Sequence, residues 1–294
     1  MKATQAIIFL THIVSSKIYN HFIRLKSQTQ NIVDAYFCIH KPYIHCDAGS
    51  FFPDFMLSRR DERRVAPERY SEKERRGLAI LPGFVDLAHM PALVSARLVD
   101  YRYIWVVEYD VEFAGIWGDF FADVMSSDAD LLGTTFYPRA QCPGWPHWTW
   151  FHTPPEVLSI HHVRSFLPIV RFSRRMLRCY VDTVRDARWR GHYEALYPTI
   201  ALHNALKIED LGGSGPFTPA SLRGRNYCNN PAVDNLRPGT FACRPIEHTA
   251  YFPDAPDQFP VRGFLYHPVK VHNNIVPQHG TLARVSRKLR RIGP

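Results

Sequence analysis

The chain has 294 residues, 46% hydrophobic and 13% aromatic, with 36 Lys and Arg against 27 Asp and Glu and a net charge of +9. This composition excludes a disordered chain and leaves enough apolar material for one large α/β domain or two small ones. The basic balance suits an anionic partner such as a nucleotide, a phosphorylated lipid carrier or a membrane surface; with no DNA or RNA recognition signature beside it, nucleic acid is not expected.

The opening Met1-Lys-Ala-Thr-Gln-Ala-Ile-Ile-Phe-Leu-Thr-His-Ile-Val has an apolar stretch broken by Thr11 and His12, with no small-x-small cleavage pattern after it. It reads as a buried strand over 6–14. Ser15 or Ser16 caps a helix to about residue 28, with Ile18, Phe22 and Leu25 on one face. A strand at 32–40 completes a βαβ unit, which predicts a parallel sheet and a right-handed crossover. Residues 57–76, dense in Arg, Glu and Asp, read as a solvated loop or surface helix. A short strand follows at 78–81, a helix at 90–100, a strand at 103–111 and another at 129–136. Residues 139–155, rich in Pro, Trp and His, form a loop; 166–188 and 193–205 have helical patterns; 212–262 is rich in Gly, Pro and Asn with little periodicity. The tail at 282–292 is basic and amphipathic. It suits either a solvated terminal helix or peripheral contact with the anionic inner face of a membrane.

No segment approaches the roughly 18 apolar residues that span a bilayer. The six cysteines make no Cys-x-x-Cys pair and no zinc spacing. They are expected as reduced thiols of a cytoplasmic protein; Cys228 with Cys243 is the pair to consider in a secreted one.

The most informative stretch is Tyr103-Ile-Trp-Val-Val-Glu108-Tyr-Asp110-Val-Glu-Phe. An apolar run ends in two acidic residues spaced i and i+2, which in a strand point to one side. Two such carboxylates are hard oxygen ligands, suited to the magnesium or manganese that bridges nucleotide phosphates. The plainer alternative is a pair of solvated turn residues. Thr11 and His12 end the first strand, where α/β sheets place ligands.

The run Trp105-Val-Val-Glu108-Tyr-Asp110-Val-x-Phe-x-Gly115-x-Trp117 resembles the Asp-x-Asp region of GT-A glycosyltransferases, and more narrowly a group whose motif is Glu-Tyr-Asp-Val. Asp130-Leu-Leu-Gly is similar to the strand after that motif. Arg171-Phe-Ser173 followed by Gly191-His192-Tyr-Glu194-x-x-x-Pro198-Thr199 resembles the acceptor-side segment, and Phe264-Leu-Tyr266-His267-Pro268-Val-Lys270 the late element that closes the metal site. The resemblance covers most of 6–272.

It implies an α/β, GT-A-like, mostly parallel central sheet flanked by helices in one domain over 1–275. Residues 1–135 would bind the nucleotide-sugar and 136–275 the acceptor, with 276–294 as the basic tail. It implies a divalent cation on Asp110, on Glu108 directly or through water, and on His267. Lys270 or Arg223 would meet the diphosphate, and Asp86 would line the nucleotide pocket by similarity. Glu194 would be the base for an acceptor hydroxyl, with His192 as its alternative or orienting partner; the plain reading of Glu194 is an acid complementing a helix N-terminus. Trp145, Trp148 and Trp150 are candidate acceptor contacts, because indoles stack on the apolar faces of sugars, although some of them should fill the core.

The expected function is sugar transfer from a nucleotide-sugar donor to a glycan or lipid-linked acceptor, in surface polysaccharide or glycoconjugate synthesis. A nucleotidyltransferase of related fold is the first alternative, but Thr11-His-Ile-Val-Ser-Ser lacks its glycine-rich phosphate loop. A non-catalytic carbohydrate-binding protein is the second.

Overall fold

The computed structural model describes residues 4–11, 13–39, 45–46, 55–57, 98, 100–184, 186, 188–228, 240–241, 259 and 261–269. The expectations for 57–76 beyond Leu57, for the strand at 78–81, for the helix at 90–100 apart from Leu98 and Asp100, and for the tail lie outside these residues. So do the assignments to His12, Asp86 and Lys270.

The strands are β1 (Gln5–Thr11), β2 (Ile13–Val14), β3 (Asp34–Ile39), β4 (His45–Cys46), β5 (Phe55–Leu57), β6 (Tyr103–Glu108), β7 (Glu112–Phe113), β8 (Leu131–Pro138), β9 (Val163–Ser173), β10 (Ile208–Asp210) and β11 (Leu265–Tyr266). The helices are α1 (Ser16–Thr29), α2 (Trp117–Val124), α3 (Arg174–Thr183) and α4 (Tyr193–His203). Among the described residues the main sheet has seven strands in the order β10-β8-β9-β6-β1-β3-β5. Every neighbouring pair is parallel except the two that involve β9, which runs antiparallel to both β6 and β8. This is the mostly parallel, helix-flanked α/β sheet that the sequence predicts.

Both sheet faces are buried, as a mostly parallel sheet requires. On β1 and β6, Ile7, Phe9, Trp105 and Val107 pack with α1 and α2 through Ile18, Phe22, Leu25, Trp117 and Phe121. Ala6, Ile8, Ile104 and Val106 join the opposite layer, where α3 and α4 contribute Met176, Tyr180, Leu196, Tyr197 and Ile200. The α1 start is as expected: the Ser15 side chain accepts from the Ile18 N–H at 3.3 Å. Gly118 lets α2 close on α1, because a Cβ there would lie 2.5 Å from the Gln28 carbonyl oxygen.

Three expectations are corrected. The first strand stops at Thr11, and Ile13–Val14 pairs separately with His45–Cys46. The strand at 103–111 ends at Glu108, and Val111 N–H closes a turn on the Glu108 carbonyl at 3.0 Å. Asp110 therefore sits in that turn.

The helix at 166–188 divides: 163–173 is an eleven-residue strand, fully buried, and only 174–183 is helical. The side chain of Ser173 marks the join by accepting from the Met176 N–H at 3.0 Å. Pro168 falls in the irregular stretch of the β8–β9 ladder, between the Leu132–Arg171 and Thr134–Phe166 pairs, where a bulge accommodates a proline.

Candidate metal and acceptor site

The carboxyl ends of the parallel strands gather most of the predicted residues. Glu108 ends β6, in register with Leu10 of β1, and Tyr109 N–H continues that pairing to the Leu10 carbonyl at 3.0 Å. The chain turns through Asp110 into β7. β7 pairs antiparallel with β11, Phe113 against Leu265 and Glu112 against Tyr266. One more backbone bond, Val269 N–H to the Asp110 carbonyl at 2.8 Å, extends the contact. This short ladder carries His267 to the turn.

Glu108, Asp110 and His267 each offer a ligand atom, and the three atoms lie within 4.8 Å of one another. His267 Nε2 stands 3.5 Å from Asp110 Oδ1. Asp110 is 5% exposed and His267 8%, while Glu108 is half-buried. Two carboxylates confined together raise each other's electrostatic energy, and a cation between them would offset it. Two carboxylates and one imidazole form a donor set that fits a divalent ion.

His192 caps α4, its Nδ1 accepting from the Glu194 N–H at 3.3 Å. Glu194 is 7% exposed. Its Oε1 accepts from the Leu167 N–H at 3.2 Å and the Tyr193 hydroxyl at 3.4 Å, and its Oε2 lies 3.5 Å from His192 Nδ1. The Leu167 N–H is turned to this carboxylate at the irregular part of the β8–β9 ladder. The residue before it, Phe166, packs edge-on to the His267 ring at 5.2 Å between centroids. Two consecutive residues of β9 thus join Glu194 to the acidic cluster.

The loop at 145–152 packs beside His192. His147 stacks on the His192 imidazole with centroids 4.2 Å apart, and Trp145 meets it edge-on at 5.6 Å. The three tryptophans differ. Trp148 is buried and its indole N–H donates to the Cys142 carbonyl at 2.9 Å. Trp145 is buried beside His192. Trp150 is 44% exposed, near the His147 ring.

Thr11 is buried at the end of β1, one residue past Leu10, and Arg223 is exposed in the turn after the short helix Ala220–Leu222. Cys38, Cys142, Cys179 and Cys228 form no disulfide, and burial pushes the Cys38 thiol up to about 12.

His147, Arg164 and Phe166 carry no motif of their own in the sequence. His147 lay within the Trp-rich loop. Phe166 and Arg164 were hidden by the helical reading of one and the absence of any motif around the other.

No protein-family model matches the chain, and no curated protein matches it. Among solved structures, the mannosyltransferase Ktr4p from S. cerevisiae aligns with a TM-score of 0.40 and 13% identity, over 71% of this chain and 68% of that one. At that depth the functional reading rests on the site itself.

Proposed function

We propose that the chain is a divalent-cation-dependent glycosyltransferase that moves a sugar from a nucleotide-diphosphate sugar to a glycan or lipid-linked acceptor, as in surface polysaccharide or glycoconjugate synthesis. The observation that carries this reading is the convergence of Glu108, Asp110 and His267 within 4.8 Å at the carboxyl edge of a mostly parallel sheet, where α/β folds bind ligands.

Asp110, Glu108 and His267 hold the ion, with manganese favoured over magnesium by the imidazole. When bound, the cation neutralises the charge that grows on the departing nucleoside diphosphate. Glu194 takes the proton of the acceptor hydroxyl. The Leu167 N–H and Tyr193 hydroxyl fix its carboxylate, and His192 sets the helix that presents it. The exposed Trp150 ring offers a stacking face for an acceptor sugar, with Trp145 behind it and Trp148 serving the core. Thr11 lines the nucleotide side next to Glu108, and Arg223 meets the diphosphate. His12, Asp86 and Lys270 are assigned to that side by the sequence resemblance.

A thermal-shift panel of UDP-, GDP- and CMP-sugars with and without manganese tests this. One nucleotide diphosphate should raise the melting temperature only when the metal is present. If none does, the transferase reading falls. Stabilisation by a sugar ligand regardless of metal favours a binding protein instead.

A further inference from the structure

Arg164 is the second residue of β9, beside Tyr137 of β8 in the ladder, and so lies at the carboxyl edge of the sheet. It is only 2% exposed, yet neither Nε nor Nη1 meets a hydrogen-bond acceptor, and no carboxylate among the described residues pairs with it. That leaves one N–H on Nε and two on Nη1 with no acceptor, out of the roughly five that a guanidinium carries. The centre of the Trp145 ring lies 5.4 Å from the guanidinium carbon. Trp145 in turn meets the His192 ring, and His192 adjoins Glu194. A continuous path of contacts therefore runs from Arg164 to the candidate base.

A buried, always-charged group with empty donors is costly to a fold, and replacing such a charge with an apolar side chain usually does no harm to stability. Arg171 is the internal control. It is also fully buried with free Nε and Nη1, but its Nη2 donates to the carbonyls of Ser127 and Ala129 at 2.7 and 3.1 Å, and its guanidinium lies 4.2 Å from the Tyr103 ring centre. Arg171 ties the loop after α2 to the sheet. Arg164 ties nothing comparable. Its planar fork, 5.4 Å from an indole centre and with donors open on Nε and Nη1, suits a carboxylate or a phosphate.

We infer that Arg164 anchors an anion-recognition subsite on the acceptor side, and that the acceptor carries a carboxylate or phosphate close to the hydroxyl that receives the sugar. The class of substrate is then an acidic glycan or a sugar phosphate. This rests on the transferase reading for the word acceptor; the subsite itself does not.

The test is calorimetric binding to the full chain, without nucleotide, of methyl glucuronide, glucose 6-phosphate and neutral methyl glucoside. At least one anionic probe should bind tenfold or more tighter than the neutral glycoside. Whichever anion binds better identifies the group. Arg164→Met should remove that preference and melt no lower than wild type. It should leave manganese-dependent nucleotide binding unchanged, a readout that Asp110→Ala abolishes if the transferase reading holds. If Arg164→Met fails to fold, Arg164→Lys, which keeps the charge without the fork, should lower anion affinity at least fivefold. The inference is overturned if wild type shows no anionic preference, or if the preference survives in the variant that folds.

Discussion

The two edges of the central sheet contain the same kinds of buried charge and use them in opposite ways. At the amino edge, Asp130 is 3% exposed and every oxygen is engaged. It accepts from the Ser173 hydroxyl at 2.7 Å, from Arg175 through Nε at 3.0 Å and also through Nη2, and from the Lys207 N–H at 3.1 Å. Burial by itself would raise its pKa, but the bonds from Arg175, Ser173 and Lys207 hold it below the ordinary carboxylate value. At the carboxyl edge, Asp110 is equally buried but is gathered with a second carboxylate and an imidazole. Burial of a charge therefore does not mark function. The company it keeps differs: an opposite charge and several donors hold Asp130, while Asp110 has a second carboxylate and an imidazole beside it, the grouping in which functional carboxylates are found.

The contrast can be broken by substitution. The largest effect is expected from Asp110→Ala. It should lower sugar transfer by about 10³-fold or more, the scale of losing charge stabilisation at the reacting centre, and abolish manganese-dependent nucleotide binding. The chain should still fold, because the bond from Val269 is to the backbone. A variant that transfers sugar normally would remove the site reading.

Next is Glu194→Gln, which keeps the shape and should leave donor binding intact while reducing turnover about 10²- to 10⁴-fold. Wild-type turnover would show that Glu194 only complements the α4 N-terminus.

At the amino edge, Asp130→Ala should leave the donor affinity alone and destabilise the fold by about 2–4 kcal/mol in urea unfolding, since Ser173 and Lys207 lose a buried acceptor. The pH dependence has a definite sign. The folded carboxyl titrates below the unfolded value of about 3.9, so its stabilisation is complete above that pH and fades as pH falls through the lower folded value. The gap between wild type and Asp130→Ala should accordingly narrow below about pH 4. A gap that is constant down to pH 2 would show that the carboxylate charge is not what matters.

The smallest effect belongs to Trp150→Ala: about a three- to tenfold rise in acceptor KM with little change in melting temperature, because the ring is 44% exposed. Unaltered acceptor kinetics would leave Trp150 as an ordinary surface residue.

The sequence spoke clearly where local pattern and tertiary environment agree. β1, α1 and β3 follow one another within 40 residues, with Ser15 as the cap and alternate residues of β1 dividing between two core layers. The Glu108-Tyr-Asp110 pair was visible too, though for a partly mistaken reason: the two carboxylates meet around a turn, not along a strand.

β9 reads as helical over 166–188 because a strand buried on both faces has no alternation to betray it, and Arg171 within that stretch imitates the polar side of a helix. Arg164 carried no signal at all. An arginine buried without a partner has no acidic residue at a fixed spacing to point to it.

The β7–β11 ladder has a last consequence. Besides those two residue pairs and the Val269 bond, Ala114 N–H donates to the Phe264 carbonyl, Gly263 N–H to the Ala114 carbonyl and His267 N–H to the Thr240 carbonyl, each at 2.9 Å, so parts of the chain far apart in sequence meet beside the acidic pair. A ligand that bridged His267 to the acidic pair would add its own binding energy to those contacts, and resistance to protease near residue 267 would then gauge occupancy. Filling the site and fastening the late segment would then be one equilibrium.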